Sequence, residues 1–185
     1  LKERYPVWEP AASARAADIA RAIEPAGLFR QKSGAIRGLL QYLIRRDGRL
    51  DDKFLCRMSS RDAILELTAL KGIGIKTVSV ALMFGCGRDD VFPVDTHVLR
   101  VSKRLELVSE STGAEKAHEV LGEMVPKGKA TSLHLNMIRL GREVCMARGP
   151  RCPRCVLAAR CPWPRKNERW SDVFGPSRGK GELAC

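Results

Sequence analysis

The chain has 185 residues, 44% of them hydrophobic, enough to bury a core in one domain or in two small ones. Thirty-three Lys and Arg against 21 Asp and Glu leave a formal charge of +12, which points to an acidic polymer as partner. No stretch approaches the roughly 20 apolar residues that span a bilayer, and no helix reads as basic and amphipathic throughout. With only 5% aromatic residues a single-strand stacking platform is also excluded, so duplex DNA is the expected partner and a membrane is not.

The periodicity is helical nearly everywhere. Ile19 and Ile23 stand four apart, and Ile36, Leu39, Leu40, Leu43 and Ile44 form one stripe that ends at Asp47-Gly48. Ser59 with Asp62 three residues on predicts a capped helix whose inner face is Ile64, Leu65 and Leu67. Gly72 and Gly74 then form a hairpin, followed by a helix through Met83 that stops at Gly85-Cys86-Gly87. Further helices are predicted from Asp95, over AEKAHEVLGEMV and over SLHLNMIRLGREV. Alternating strand patterns and internal repeats are both absent, so the fold class is all-α. Residues 164–185, basic and rich in Pro and Gly, are expected to form an extended tail.

Seven cysteines are an odd count for a disulfide framework, and four of them, Cys145, Cys152, Cys155 and Cys161, crowd into 17 residues. That spacing, C-x6-C-x2-C-x5-C, suits one metal centre in a reducing compartment: the short link makes a chelating turn and the longer arms bring in the outer thiolates. Zinc and an iron-sulfur cube both remain open on spacing alone. Arg148, Arg151, Arg154 and Arg160 lie between these cysteines, placed either to meet phosphates or to form a solvated basic surface. Cys56 and Cys86 sit in apolar neighbourhoods and are expected to be core thiols, while Cys185 is terminal.

In LKGIGIKT the glycines allow a tight turn, and their amides beside a helix N-terminus make a nest for a phosphate. Lys76 follows at the front of that helix, where the dipole disfavours an ammonium group. The dipole contributes about 0.3–1 kcal/mol, less than one pKa unit, against the roughly 10.4 of an ordinary lysine. A nucleophilic amine there needs desolvation, neighbouring cations or a proton acceptor as well. Asp95, with 18 residues between, is the candidate acceptor; it is also a natural N-cap for the helix THVLRV, and both roles are compatible. Leu28, near a helix end, reads as core on the residues alone. His134 is expected to be a satisfied, partly buried side chain, and His97 and His118 show no ligand spacing.

The cysteine spacing after HLNMIRLGREVC, preceded in order by LKGIGIKT and VFPVDTHVLRV, closely resembles the endonuclease III-like DNA glycosylases of the helix-hairpin-helix superfamily, over roughly residues 1–163. The resemblance implies a two-lobed helical fold: a hairpin lobe over 1–90, a cluster lobe over 91–163, and the tail 164–185. It also implies that helices which precede this region in the family are missing from the sequence. On the family pattern, Cys145, Cys152, Cys155 and Cys161 hold a 4Fe-4S cluster, Lys76 is the nucleophile that forms a Schiff base with the sugar, and Asp95 is its catalytic partner. Leu28 matches a loop residue that wedges into the duplex, and Gln31 a reader of the opposite strand. Lys71, Gly72 and Gly74 match the hairpin that binds phosphate, often through a monovalent cation; Lys71 replaces a frequent proline.

Arg148, Arg151 and Arg154 are the expected DNA contacts of the cluster loop. The implied activity is excision of a damaged or mispaired base, oxidised pyrimidines first, followed by β-elimination, by a monomer on double-stranded DNA. Adenine-specific relatives lack the lysine at this position, which argues against that branch. The alternative is a non-catalytic DNA-binding or redox-sensing module. The implied location is cytoplasmic and nucleoid-associated in a bacterium, nuclear in a eukaryote.

Overall fold

The computed structural model describes residues 1–51 and 53–167, and every regular element among them is helical. The chain divides into two compact units, Leu1–Arg88 and Asp89–Cys185. None of the described helices is long and apolar enough to cross a membrane.

In the first unit α1 (Glu9–Ser13) and α2 (Ala16–Ala22) pack on the long α3 (Phe29–Asp47). Pro10 sits in the first turn of α1, where its missing N–H costs nothing. Ala11 and Ala12 are small enough to let Leu40 approach, and Tyr5, Trp8, Ile36 and Leu50 close around them. Of the predicted stripe on α3, Leu40 and Leu43 are buried, while Ile44 flanks the contact and stays exposed.

Next come α4 (Phe54–Arg57), α5 (Ser60–Thr68) and α6 (Ile75–Val80), with α5 packed on α6. Ser59 caps α5 as expected, its Oγ accepting the Asp62 amide at 3.1 Å and donating to the Asp62 carboxylate at 2.6 Å. The predicted inner face needs correction. Ala63 and Leu67, four apart, are the buried pair, and Leu65, about 200° round the helix from Ala63, is 73% exposed. The helix after the hairpin is also not regular to its end: Ala81–Gly85 widen into a π turn that buries Leu82 and Met83. Cys56 and Cys86 are not core thiols. They are bonded to each other, Cα atoms 5.1 Å apart, with Cys56 exposed and Cys86 half-buried. Residues 30 apart in sequence meet because α4 packs beside the π turn.

The second unit contains α7 (Thr96–Arg104), α8 (Ala114–Met124), α9 (Ala130–Glu143) and α10 (Trp163–Lys166). Its core joins Val98 and Val101 of α7 to Ala117 and Leu121 of α8 and Met137 of α9. Where α9 crosses α7, a Cβ on Gly141 would stand 2.8 Å from the Cβ of His97, so only glycine permits that approach. The expectation of an extended tail from residue 164 fails at its start, because Pro164–Lys166 are helical; residues 168–185 lie outside the described residues.

Candidate functional site

In the first unit the candidate residues gather at the turn between α5 and α6. The Ile73 amide bonds the Leu70 carbonyl at 3.0 Å, and Gly72 adopts φ +84° with the place of a Cβ only 3.1 Å from that of Ala35. Left-handed backbone and close approach both demand glycine there. Lys71, Gly72 and Gly74 are exposed, and Gly74 accepts the Thr77 and Val78 amides at 2.9 and 3.2 Å to start α6. Lys76, the second residue of α6, is exposed and forms no ion pair or hydrogen bond through its side chain among the described residues. The desolvation expected from the sequence is therefore not supplied by its own unit.

Leu28 stands at the entry to α3 with φ +49° and its side chain 70% exposed, which removes the core alternative. Holding a leucine in that conformation costs roughly 1–2 kcal/mol. Lys32 donates to the Ala26 carbonyl at 2.7 Å and tethers the same turn, while Gln31 is exposed on the first turn of α3.

In the second unit the candidate residue is Asp95. It caps α7 as its sequence suggests: Oδ1 alone accepts the His97 and Val98 amides, at 2.9 and 2.8 Å. Oδ2 makes no hydrogen bond among the described residues, so capping leaves one oxygen of the half-buried carboxylate available. Capping and chemistry can share this residue.

The cysteine loop follows α9. Cys145, Cys152, Cys155 and Cys161 are unpaired thiols, Cys152 buried and the others half-buried. Burial pushes the Cys152 and Cys161 thiols up, and each is raised further by neighbouring cysteines, so the four groups sense one another. Yet no group of three or more His, Cys, Asp or Glu side chains among the described residues could hold a single metal ion.

Two arginines, four apart on α7, grip this loop. Arg100 donates to the Cys145 carbonyl at 2.9 Å and the Gly141 carbonyl at 2.7 Å. Arg104 donates to Cys145 Sγ at 3.2 Å and the Met146 carbonyl at 2.8 Å, and lies 4.3 Å from the Trp163 ring centroid. Neither was singled out from the sequence, although their shared helix face was a usable signal. Arg148, Arg151, Arg154 and Arg160 are exposed and form no ion pair among the described residues. An open apolar cavity of about 660 Å³ among Phe92, Val101, Leu121, Met137, Leu140 and Val156 contains neither Asp95 nor a clustered cysteine, and is no part of the site.

The family described as HhH-GPD superfamily base excision DNA repair protein matches residues 1–127, a span that includes both Lys76 and Asp95. The chain belongs to the HhH-GPD superfamily. It is 30% identical to endonuclease III of Thermotoga maritima over 184 residues, covering 99% of this chain and 76% of that protein. Identity to a putative DNA glycosylase of Arabidopsis thaliana is 36% over 126 residues, 68% of this chain, which spans only 43% of that protein. Among solved structures, an endonuclease III trapped as a covalent intermediate with DNA superposes with a TM-score of 0.73 at 30% identity, over 89% of this chain and 73% of that one. A non-covalent endonuclease III–DNA complex gives 0.72 at 27% identity, over 91% of this chain and 74% of that one. The all-helical architecture is that of an endonuclease III-like HhH-GPD protein, and the alignment with the Thermotoga enzyme extends through the cysteine loop that the family match leaves out.

Proposed function

We propose that this HhH-GPD protein is a bifunctional DNA glycosylase and AP lyase that acts as a monomer on double-stranded DNA and removes a damaged or mispaired base, oxidised pyrimidines foremost. The observation that carries the reading is Lys76, an uncovered and unpaired lysine two residues beyond the last glycine of a DNA-type hairpin. As the free amine, its Nζ attacks C1′ of an extruded nucleotide while the bond to the base breaks and the base leaves with one amine proton; the C1′–O4′ bond then opens, O4′ takes the remaining amine proton, and an imine is left. Removal of a C2′ proton then expels the 3′ phosphate and nicks the strand. Duplex closing over the exposed lysine would supply the desolvation its own unit lacks.

Asp95 takes the complementary part. Its Oδ2 can stabilise positive charge developing on the sugar and accept a proton, directly or through water. Lys71, Gly72 and Gly74 would hold a phosphate, with a monovalent cation between, and exposed Leu28 would fill the space beside the flipped nucleotide while Gln31 reads the opposite strand. Arg148, Arg151 and Arg154 would add backbone contacts.

The cysteine loop fits a 4Fe-4S cluster better than zinc. What supports that reading is the alignment with endonuclease III through this loop, together with four free thiols close enough for neighbouring cysteines to raise Cys152 and Cys161. Cys145, Cys152, Cys155 and Cys161 would ligate it, and its contribution is to stiffen a DNA-facing loop, since four protein thiolates leave no open position.

The test uses duplex DNA bearing one abasic site, which bypasses the unknown base preference. With borohydride present, the parent protein should form an adduct that survives denaturation, and Lys76→Gln should lose at least 10³-fold of it while DNA affinity stays within about twofold. An adduct undiminished by Lys76→Gln would move the nucleophile elsewhere; no adduct with the parent chain would favour the non-catalytic alternative.

A further inference from the structure

Residues 91–95 form no regular element, yet Val91, Phe92, Pro93 and Val94 are all buried. Peptide groups in such a segment have no helical or strand ladder and must find partners on side chains. His118 of α8 provides two: its Nδ1 lies 3.1 Å from the Phe92 carbonyl, and its Nε2 accepts the Val94 amide at 3.4 Å. His134 of α9 bonds the Pro93 carbonyl through Nδ1 at 2.9 Å, and its ring meets the Phe92 ring edge-on with centroids 6.1 Å apart. Three consecutive residues immediately before Asp95 are thus gripped from two helices.

The geometry fixes the chemical state of His118. An amide only donates, so Nε2 must be bare; a carbonyl only accepts, so Nδ1 must carry the hydrogen. Only the neutral Nδ1–H imidazole makes both bonds at once. An asparagine could copy the Nδ1 end and a glutamine the Nε2 end, but neither copies both.

We propose that His118 and His134 are positioning residues for Asp95, which set the carboxylate in place before DNA arrives and never touch substrate themselves. The proposal deepens the excision reading and rests on the part Asp95 plays in it. Burial, the largest influence, holds His118 below the usual histidine range, and so keeps it in the neutral form the clamp requires at neutral pH. Glu115 on its own helix works against that shift and His134 on α9 works with it. As pH falls through the depressed His118 value, the ring gains a proton at Nε2, presents a donor to the Val94 donor, and releases that side of the segment.

The amides of His97 and Val98, bonded to Asp95 Oδ1, report the carboxylate's position, and the Val94 amide reports the clamp. On the labelled 185-residue protein, these three amides should shift together through one transition between pH 8 and pH 5, with exchange about tenfold faster at the acid end after correction for intrinsic rates. His118→Asn should remove the shared transition, and His118→Gln, which keeps the Val94 acceptor, serves if the asparagine variant does not fold. In single-turnover base removal, His118→Asn should cost about tenfold in the parent background and nothing further in Asp95→Asn, with DNA affinity unchanged. A Val94 transition that leaves His97 and Val98 unmoved, or equal slowing in both backgrounds, would reduce the clamp to a fold-stabilising contact. If the parent protein removes no base, the excision reading fails while the amides still decide the clamp.

Discussion

The hairpin of the first unit and the segment before α7 in the second prepare their functional side chains in opposite ways. Lys76 stands on a short helix, exposed and without a partner among the described residues. Asp95 is capped onto α7 by two amides through one oxygen, and the three residues before it are held by buried histidines. A carboxylate that must meet developing positive charge works best when its reorganisation is complete in advance. On the proposed function, an amine that must reach a sugar carbon and bond to it needs freedom first and a closed environment later, which DNA would supply. On the proposed reading, the second unit carries the preorganisation, whereas the first holds an uncovered amine beside a tight turn.

That rigidity in the first unit is what the larger perturbations address. The Cys56–Cys86 bond encloses α5, the hairpin, α6 and Lys76 in one loop. Opening it with a small thiol, or by Cys56→Ser, should cost about 3–4 kcal/mol by the loop-entropy estimate, read as a lower denaturant midpoint for the hairpin unit. The iron and sulfide content expected from the proposed cluster should be unchanged, because none of the loop's four thiols belongs to this pair. Loss of both together would erase the distinction between the units.

A smaller effect is expected at Gly72→Ala. The added Cβ meets Ala35 at 3.1 Å on a backbone with φ +84°, so the turn should lose roughly 1–2 kcal/mol. Duplex affinity should fall with it, measured by titration at fixed salt, while the amides around Asp95 stay as they are. Gly74→Ala has open space and no positive φ, and serves as the control for the stability loss alone.

What could be read from the sequence was whatever chemistry writes at short range. Gly72 and Gly74 with Lys76, Asp95 before THVLRV, and four cysteines within 17 residues each carry their meaning in adjacent positions. Capping by Ser59 and Asp95 was legible for the same reason. Long-range pairings were not. Cys56 and Cys86 lie 30 residues apart, and the hydrophobic residues around each suggested burial when each is in fact at a helix end near the surface. His118 and His134 reach back 24 to 41 residues to a segment with no pattern of its own. Leu65 shows the limit of composition: an apolar residue in a helix was assigned inward, but the Ala63–Leu67 spacing turns it out. Arg100 and Arg104 were missed, because their partners lie more than 40 residues away in the cysteine loop.

The division of labour between Asp95 and Lys76 is tested most directly by comparing two rates in Asp95→Asn: removal of an oxidised pyrimidine from duplex DNA, and nicking of a ready-made abasic site. Asparagine keeps the Oδ1 acceptor that caps α7 and loses the charge, so the fold should stand. Base removal should be slowed about 10²-fold more than nicking, with the borohydride adduct on Lys76 still forming. Equal slowing of both rates would contradict that division of labour.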